Sequence, residues 1–321
     1  MSAEILLGCM SGCFEGNNKM EYAQLKPGRA FKPLQSLLYY LQRIVTSRCL
    51  RHMITQGLTE YIRRRHGAMS TDTESYDQVQ LDSLRQHGHA ALGELLSAEQ
   101  LSHIRDHLSS KSLLAQGAKA QAFTIEQVPP GLRLAEYELR DILDCPHLLE
   151  LANHPAILRL AGDYIGCKPT LSALGLRWSF PDAGAGSGSQ AFHRDCDDWR
   201  FMKVMVYLTD VDAETGPHIY VQGTHLERCS MRLQVYSDNK ILNRYGEKNI
   251  VNMMGVAGTG FAVNTQGIHK GMLPSQKPRL LLQIQYSLLP VYIYRYRPAT
   301  GLQKPLLDRY INRLFVSNAR K

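Results

Sequence analysis

Three residues of this chain carry chemistry that the rest must position. His193 and Asp195 stand two apart in the run Phe192-His193-Arg194-Asp195, and on an extended strand side chains two apart project to the same face. A second imidazole, His269 in Ile268-His269-Lys270-Gly271, follows far downstream. Two imidazoles and a carboxylate can take three corners of an Fe(II) octahedron and leave the opposite three open. Arg279 comes ten residues after His269, in a β-type run, and its guanidinium can clamp a carboxylate through paired hydrogen bonds. A lone His-x-Asp is common by chance; the ordered set of four carries the signal.

That spacing resembles the iron(II)/2-oxoglutarate oxygenases and, more narrowly, the phytanoyl-CoA dioxygenase family. Gly216-Pro217-His218 fits the same family, and Gln222-Gly223-Thr224-His225 is similar to its Pro-Gly-Ser-His turn, with Gln222 and Thr224 as departures. The resemblance runs from about Leu84 to about Leu289. It implies Fe(II) on His193, Asp195 and His269, with 2-oxoglutarate taking two open positions and O2 the third. The implied reaction hydroxylates a nearby C–H while 2-oxoglutarate becomes succinate and CO2. Arg279 would pair with the far carboxylate of 2-oxoglutarate, with Gln190, Tyr207 and Thr209 as further hydrogen-bonding candidates. Halogenating relatives lack the carboxylate that Asp195 supplies, so hydroxylation or a related oxidation is expected. The alternative is a non-catalytic, metal-binding jelly-roll (cupin-like) protein that binds a ligand.

Around these residues lie weaker candidates. Alternation along 279–286 puts Arg279, Leu281, Gln283 and Gln285 on one face and Leu280, Leu282, Ile284 and Tyr286 on the other,. The more polar set should line a barrel interior, making Gln283 and Gln285 substrate-pocket candidates. Lys203, Met205, Tyr207 and Thr209 likewise oppose Val204, Val206 and Leu208. Arg177 is either a substrate partner or a surface charge. Asp197 and Asp198 add carboxylates beside the metal set, where they could bind a substrate's hydroxyls or a cation, or simply be solvated. Trp199 could stack on a ring or pack in the core. His225 is a rival ligand, more readily a hydrogen-bonding support, and His218 is structural or pocket-lining. His103 and His107, four apart on a helix, have no third ligand and are expected to be exposed.

Several short β-type runs follow a helical half, which suggests an α+β fold with a mainly β core. The architecture expected is a double-stranded β-helix (jelly roll, cupin-like) with flanking helices. Residues 1–80 form a leader and a basic amphipathic helical extension, 81–290 the jelly-roll domain and 291–321 a basic tail helix. In the extension, Leu34, Leu37, Leu38, Leu41, Ile44 and Val45 recur at helical spacing beside Arg43, Arg48 and Arg51. A helix over 29–65 is expected to pack on the catalytic domain with its basic face in water; peripheral contact with an anionic membrane is the rival use. The first twenty residues are expected to be a leader, with Met20 as an alternative start. The glycine-rich run 183–189 is either a flap over the site or a loose hairpin.

The chain has 321 residues, a net charge of +8 and seven scattered cysteines. The odd, dispersed cysteines indicate a reducing compartment, taken as the cytoplasm. Mild basicity suits an anionic small-molecule substrate. Tyrosine and arginine interleave over 291–298, but one short run does not support nucleic-acid binding. A homo-oligomer is open.

Overall fold

The computed structural model describes residues 21–69, 76–115, 122–182, 190–227, 234–300 and 307–317. The leader, Met20 and the glycine-rich run 183–189 lie outside the described residues.

Two antiparallel sheets form the centre. The large sheet orders its strands β2 (His89–Glu94), β10 (Thr259–Val263), β7 (Phe201–Tyr207), β12 (Arg279–Ser287), β6 (Thr170–Ser179), β5 (Leu134–Tyr137), β3 (Leu113–Ala115) and β4 (Ala122–Phe123). The small sheet runs β11 (His269–Gly271), β8 (His218–Val221), β9 (Ile250–Met253). A separate ribbon pairs β1 (Glu21–Tyr22) with β13 (Tyr294–Arg295). Helices α1 (Pro33–Ile44), α2 (Arg48–His66), α3 (Gln78–Gln86), α4 (Ala98–Ser109), α5 (Leu139–Asp144), α6 (Leu148–Leu151) and α7 (Pro155–Ile165) precede most of the strands. Later come α8 (Asp238–Tyr245) and α9 (Arg309–Asn312). This is the jelly-roll architecture with flanking helices.

Strand alternation creates the two layers of core. On β12, Leu280, Leu282, Ile284 and Tyr286 join the apolar layer that also contains helix residues such as Leu84, Ile104 and Leu158. Leu281 belongs instead to a smaller cluster with Met205, Tyr207, Tyr220, Met253 and Phe261, drawn from both sheets. β7 does the same, with Met202, Val204 and Val206 outward and Met205 and Tyr207 inward. Each large apolar side chain so buried contributes roughly 1.5–3 kcal/mol. The inward face therefore has room for polar groups only where the apolar cluster stops, and the candidate site lies there.

Local signals set several helix limits. Ser97 accepts from the Gln100 backbone N–H while Gln100 reaches back to Ser97, closing a capping box at α4,. Leu101, Ile104 and Leu108 are its buried stripe. Pro155 opens α7 at its first turn, and Gly166 ends it in a left-handed conformation,. His103 lies 3.1 Å from His147, and His107 meets the Asp141 carbonyl.

The extension departs from expectation in two ways. The helix over 29–65 breaks at 45–47 into α1 and α2. More consequentially, α1 packs by its polar side: Ser36, Tyr39 and Gln42 are buried, whereas Leu34, Leu37, Leu41 and Ile44 are exposed. Ser36 donates to the Leu25 carbonyl, and Gln35 to the carbonyls of Tyr292 and Tyr294. Backbone acceptors left by the irregular tail recruit these polar side chains, and the apolar stripe turns to water.

Candidate active site

His193 and His269 face each other as a cross-strand pair. Each backbone N–H donates to the other's carbonyl, at 2.9 and 3.0 Å, and the ring centroids are 4.3 Å apart. His193 Nδ1 lies 2.8 Å from the Ala191 carbonyl, and His269 Nδ1 lies 3.0 Å from that of Gly267. A carbonyl accepts only, so each Nδ1 carries the proton and each Nε2 lone pair is left for a metal. Both Nε2 atoms lie 3.6 Å from an Asp195 oxygen, His193 from Oδ1 and His269 from Oδ2. One ligand atom from each residue falls within 4.8 Å of the others.

The intervening Arg194 explains how the strand is held. Alternation turns it away from the cluster, where its guanidinium donates to the Thr224 and Gln266 carbonyls and pairs with Glu227 at 2.7 Å. Thr224 Oγ1 also accepts from the backbone N–H of Ile268, next to His269. One buried turn residue thus ties both ligand-bearing segments together. Gly223 before it has a φ of 73°, a left-handed conformation that glycine adopts without a Cβ clash.

Electrostatics prepare Asp195 and His269 for a metal, whereas for His193 burial is outweighed by the Asp195 carboxylate, which raises its pKa. Burial would raise the Asp195 carboxyl, but Lys203 and the two imidazoles hold it well below the usual carboxylate range. Lys203 Nζ is 2.6 Å from Asp195 Oδ2 and 3.5 Å from Asp197 Oδ2. Burial and then His193 push His269 down to about 3, so its imidazole is neutral near pH 7. For Lys203, burial is outweighed by the charges of Asp195 and Asp197, which keep the ammonium protonated.

Arg279 is buried, and only its Nη2 finds a partner, Ser179 Oγ at 3.1 Å. Its Nε and Nη1 are buried with no hydrogen-bond partner among the described residues. Desolvation lowers its pKa to about 10, still charged at neutral pH. His218 stands between Arg279 and the cluster. Its ring stacks on His269 at 5.4 Å, its Nε2 has no partner, and burial followed by the charges of His269 and Arg279 depresses it well below the usual histidine range. Buried donors left unpaired cost about 1–3 kcal/mol each, more when charged. Arg279 therefore suits an anionic, carboxylate-bearing group.

The other candidates are distributed as follows. Gln190 is buried, with Nε2 unpartnered. Tyr207 lines the inner cluster, but its hydroxyl donates to the Met253 carbonyl at 2.7 Å and accepts from the His218 N–H at 3.0 Å. Thr209 Oγ1 accepts from the Leu280 N–H at the end of the strand pairing. Both hydroxyls are thus engaged by the sheet itself. Arg177 faces inward opposite Leu281 and is neutralised by Glu136, with Nε 2.8 Å from Oε1. Gln283 is half-buried on the same inner face, and Gln285 is buried, its amide 3.3 Å from Ser172 Oγ.

Asp198, Trp199 and His225 point to other work than lining a pocket. Asp198 accepts from Gln42 of α1 at 3.0 Å and from the Leu289 N–H at 2.7 Å, and burial raises its pKa to about 8. Trp199 packs in the helix-side core with the Arg51 guanidinium 4.9 Å from its ring. His225 Nε2 meets the Arg85 carbonyl at the end of α3. The support expected of His225 falls to its neighbour Thr224.

Sequence reasoning did not single out Lys203, Arg194, Thr224 or Glu136. Alternation places Lys203 inward and Arg194 outward, which was the available signal. The pairing of Glu136 with Arg177 depends on β5 lying beside β6, which no local pattern encodes. The β1–β13 ribbon lies over this cluster: the Tyr22 and Tyr294 rings are 5.7 Å apart, and Tyr294 has Asp197 and Glu136 as charged neighbours.

No curated protein matches the chain. Among solved structures it is similar to HygX from Streptomyces hygroscopicus with nickel and 2-oxoglutarate bound, at 17% identity and a TM-score of 0.47, over 75% of this chain and 100% of that one. It is similar to EctD from S. alaskensis at 17% identity and a TM-score of 0.47, over 78% and 90% of the two chains. The α-ketoglutarate-dependent epimerase SnoN from nogalamycin biosynthesis matches at 21% identity and a TM-score of 0.46, over 65% and 81%. Residues 84–272, more than half of the chain, match the family described as Phytanoyl-CoA dioxygenase (PhyH), and the span contains both histidines and the aspartate. The chain belongs to the phytanoyl-CoA dioxygenase family and is an Fe(II)/2-oxoglutarate-dependent oxygenase.

Proposed function

We propose that the protein hydroxylates an unactivated C–H of a small, polar or anionic metabolite. The observation that carries this reading is the buried Arg279, with two donors that find no partner among the described residues, on the inward face of the same fold that brings His193, Asp195 and His269 together. A desolvated, unpaired guanidinium costs stability until an anion fills it, which supports a bound carboxylate at this position.

In this reading His193, Asp195 and His269 hold the iron, each histidine through Nε2. Lys203 occupies one Asp195 oxygen and leaves the other for the metal. Arg279 takes the 5-carboxylate of 2-oxoglutarate, with Ser179 fixing the third side of the guanidinium. Neutral His218 adds a polar edge beside that path without adding a competing charge. Iron(II) with 2-oxoglutarate and O2 would supply the oxidising chemistry, one oxygen atom of O2 going to the substrate carbon and the other into succinate, with release of CO2. The Arg177–Glu136 pair, Lys203 and Asp197 give the interior fixed charges of both signs, which supports a polar substrate over a plain hydrocarbon,.

The test is anaerobic titration of the iron-loaded protein with 2-oxoglutarate, followed by the weak visible charge-transfer band. A band is expected in the wild type, and Arg279→Ala should weaken 2-oxoglutarate binding by about 30- to 1,000-fold, the cost of truncating one side of a buried charge pair. A folded, iron-loaded wild type without the band would remove the oxygenase chemistry from this site.

A further inference from the structure

The apolar stripe of α1 is not spent on the fold. Leu34, Leu37 and Ile44 are 67%, 63% and 74% exposed, and Leu41 lies on the same face. These positions recur at three- and four-residue steps, so they form one continuous ridge along the helix. Leu34 also lines a groove of about 570 Å³ between α1 and the tail, walled by Phe31, Pro33, Leu38 and Val291. Monomeric proteins rarely leave so contiguous an apolar surface in water.

Charge says what covers it. From Tyr22 to Thr59 the chain has no carboxylate, while Lys26, Arg29, Lys32, Arg43, Arg48 and Arg51 fall within it. Lys26, Arg29 and Lys32 are exposed and sit in the segment that leads directly into α1. Tyr40, beside the ridge, is 43% exposed, and tyrosine favours a position where its ring is buried and its hydroxyl remains wet. A second copy of the chain would bring a second carboxylate-free basic segment to the same contact, which like-charge repulsion disfavours,. An apolar ridge preceded by exposed cations, with Tyr40 beside it, fits an anionic bilayer surface, which takes the leucines below the headgroups and the ammonium and guanidinium groups at the phosphates,.

We propose that α1 docks the protein on anionic membranes, with Leu34, Leu37, Leu41 and Ile44 inserted and Lys26, Arg29 and Lys32 on lipid headgroups. The inversion of α1 is what makes this geometry available: Gln35 ties the helix to the tail and Gln42 ties it to Asp198, so its apolar side can leave water without detaching. This goes beyond the chemistry of the iron site and does not depend on it.

Flotation of the full chain with vesicles tests it. The wild type should float with phosphatidylcholine vesicles containing phosphatidylserine, and raising salt to about 0.5 M should release it. Pure phosphatidylcholine should capture far less. Each cation lost near such a surface costs about fivefold in partitioning, so Arg29→Gln with Lys32→Gln should weaken binding about 25-fold. Leu37→Glu with Ile44→Glu should abolish flotation, while an unchanged thermal midpoint and iron affinity show that the fold survives. The proposal is overturned if the wild type stays in solution with phosphatidylserine vesicles at low salt, or if the double glutamate variant floats equally well. It is also overturned if sedimentation finds a wild-type dimer that the same variant dissociates, which would give the ridge to a second copy.

Discussion

The interior of the jelly roll and helix α1 apply opposite rules to the same kinds of residue. Inside the barrel, polar and charged groups are buried beside the apolar cluster, each set by a specific partner: Lys203 on Asp195, Glu136 on Arg177, Ser179 on Arg279. On α1, polar groups are also turned inward, but leucines that could have filled a core are left in water. The difference lies in what each region has to satisfy. The barrel has its apolar core on the other face of the sheet and can spend its inner face on chemistry. Helix α1 lies against irregular backbone around Leu25, Tyr292 and Tyr294, whose carbonyls need donors more than the surface needs a leucine.

The sharpest break of that comparison is at the metal cluster. Replacing His269 with Ala removes one of three ligands and should lower Fe(II) affinity on the order of 1,000-fold, measured by anaerobic competition with a coloured chelator, with little change in the folded spectrum. Retained tight binding would mean that the cluster is not the metal site. Next in size comes a paired truncation. Ile284→Ala, in the helix-side core, should destabilise by about 2–5 kcal/mol, whereas Leu37→Ala should stay within roughly 0.5 kcal/mol. Denaturant midpoints for the two variants check it; comparable losses would show that α1 leans on its leucines after all.

A pH-dependent effect concerns the seam between the regions, where Gln42 of α1 meets Asp198. Burial raises the Asp198 carboxyl to about 8 in the folded protein, against the ordinary value of 3.8 when unfolded. Between these values the folded state holds a proton that the unfolded state has released, so this residue makes stability fall as pH rises from about 4 to 8. Below pH 4 and above pH 8 its contribution levels off. Asp198→Asn should flatten the slope in that window; an unaltered stability–pH curve would place the charge elsewhere.

The run Asp195-Cys196-Asp197-Asp198 shows how far local pattern reaches. Alternation puts Asp195 on the face of His193 and Arg194 on the other, and the structure follows it. It also puts Lys203 inward on β7 and Arg279, Gln283 and Gln285 inward on β12. Beyond the bridges at Phe192 and His193 and the Asp195 N–H bond to the Thr265 carbonyl, the pairing ends, alternation has no hold, and Asp198 and Trp199 turn to α1 and α2. His225 and Thr224 give a similar lesson. Spacing located the turn but not which of its side chains faces the ligand strands, because that depends on how the turn is rotated by its contacts with Arg194 and Ile268.

The jelly-roll class with flanking helices, the ligand types of the metal cluster and the inward face of the strands were legible in short stretches of sequence. Those depend on periodicity and on the intrinsic chemistry of imidazole, carboxylate and guanidinium, which are properties of short segments. The assembled chain set the partners: Lys203 holds Asp195, Glu136 neutralises Arg177, the Tyr207 hydroxyl donates to the Met253 carbonyl, and α1 sits with its leucines outward. Each of those outcomes depends on which distant backbone or side chain offers a hydrogen-bonding partner. That is a property of the assembled chain: hydrophobic periodicity measures how much a helix could bury and carries no record of the acceptors waiting on the surface against which it lands.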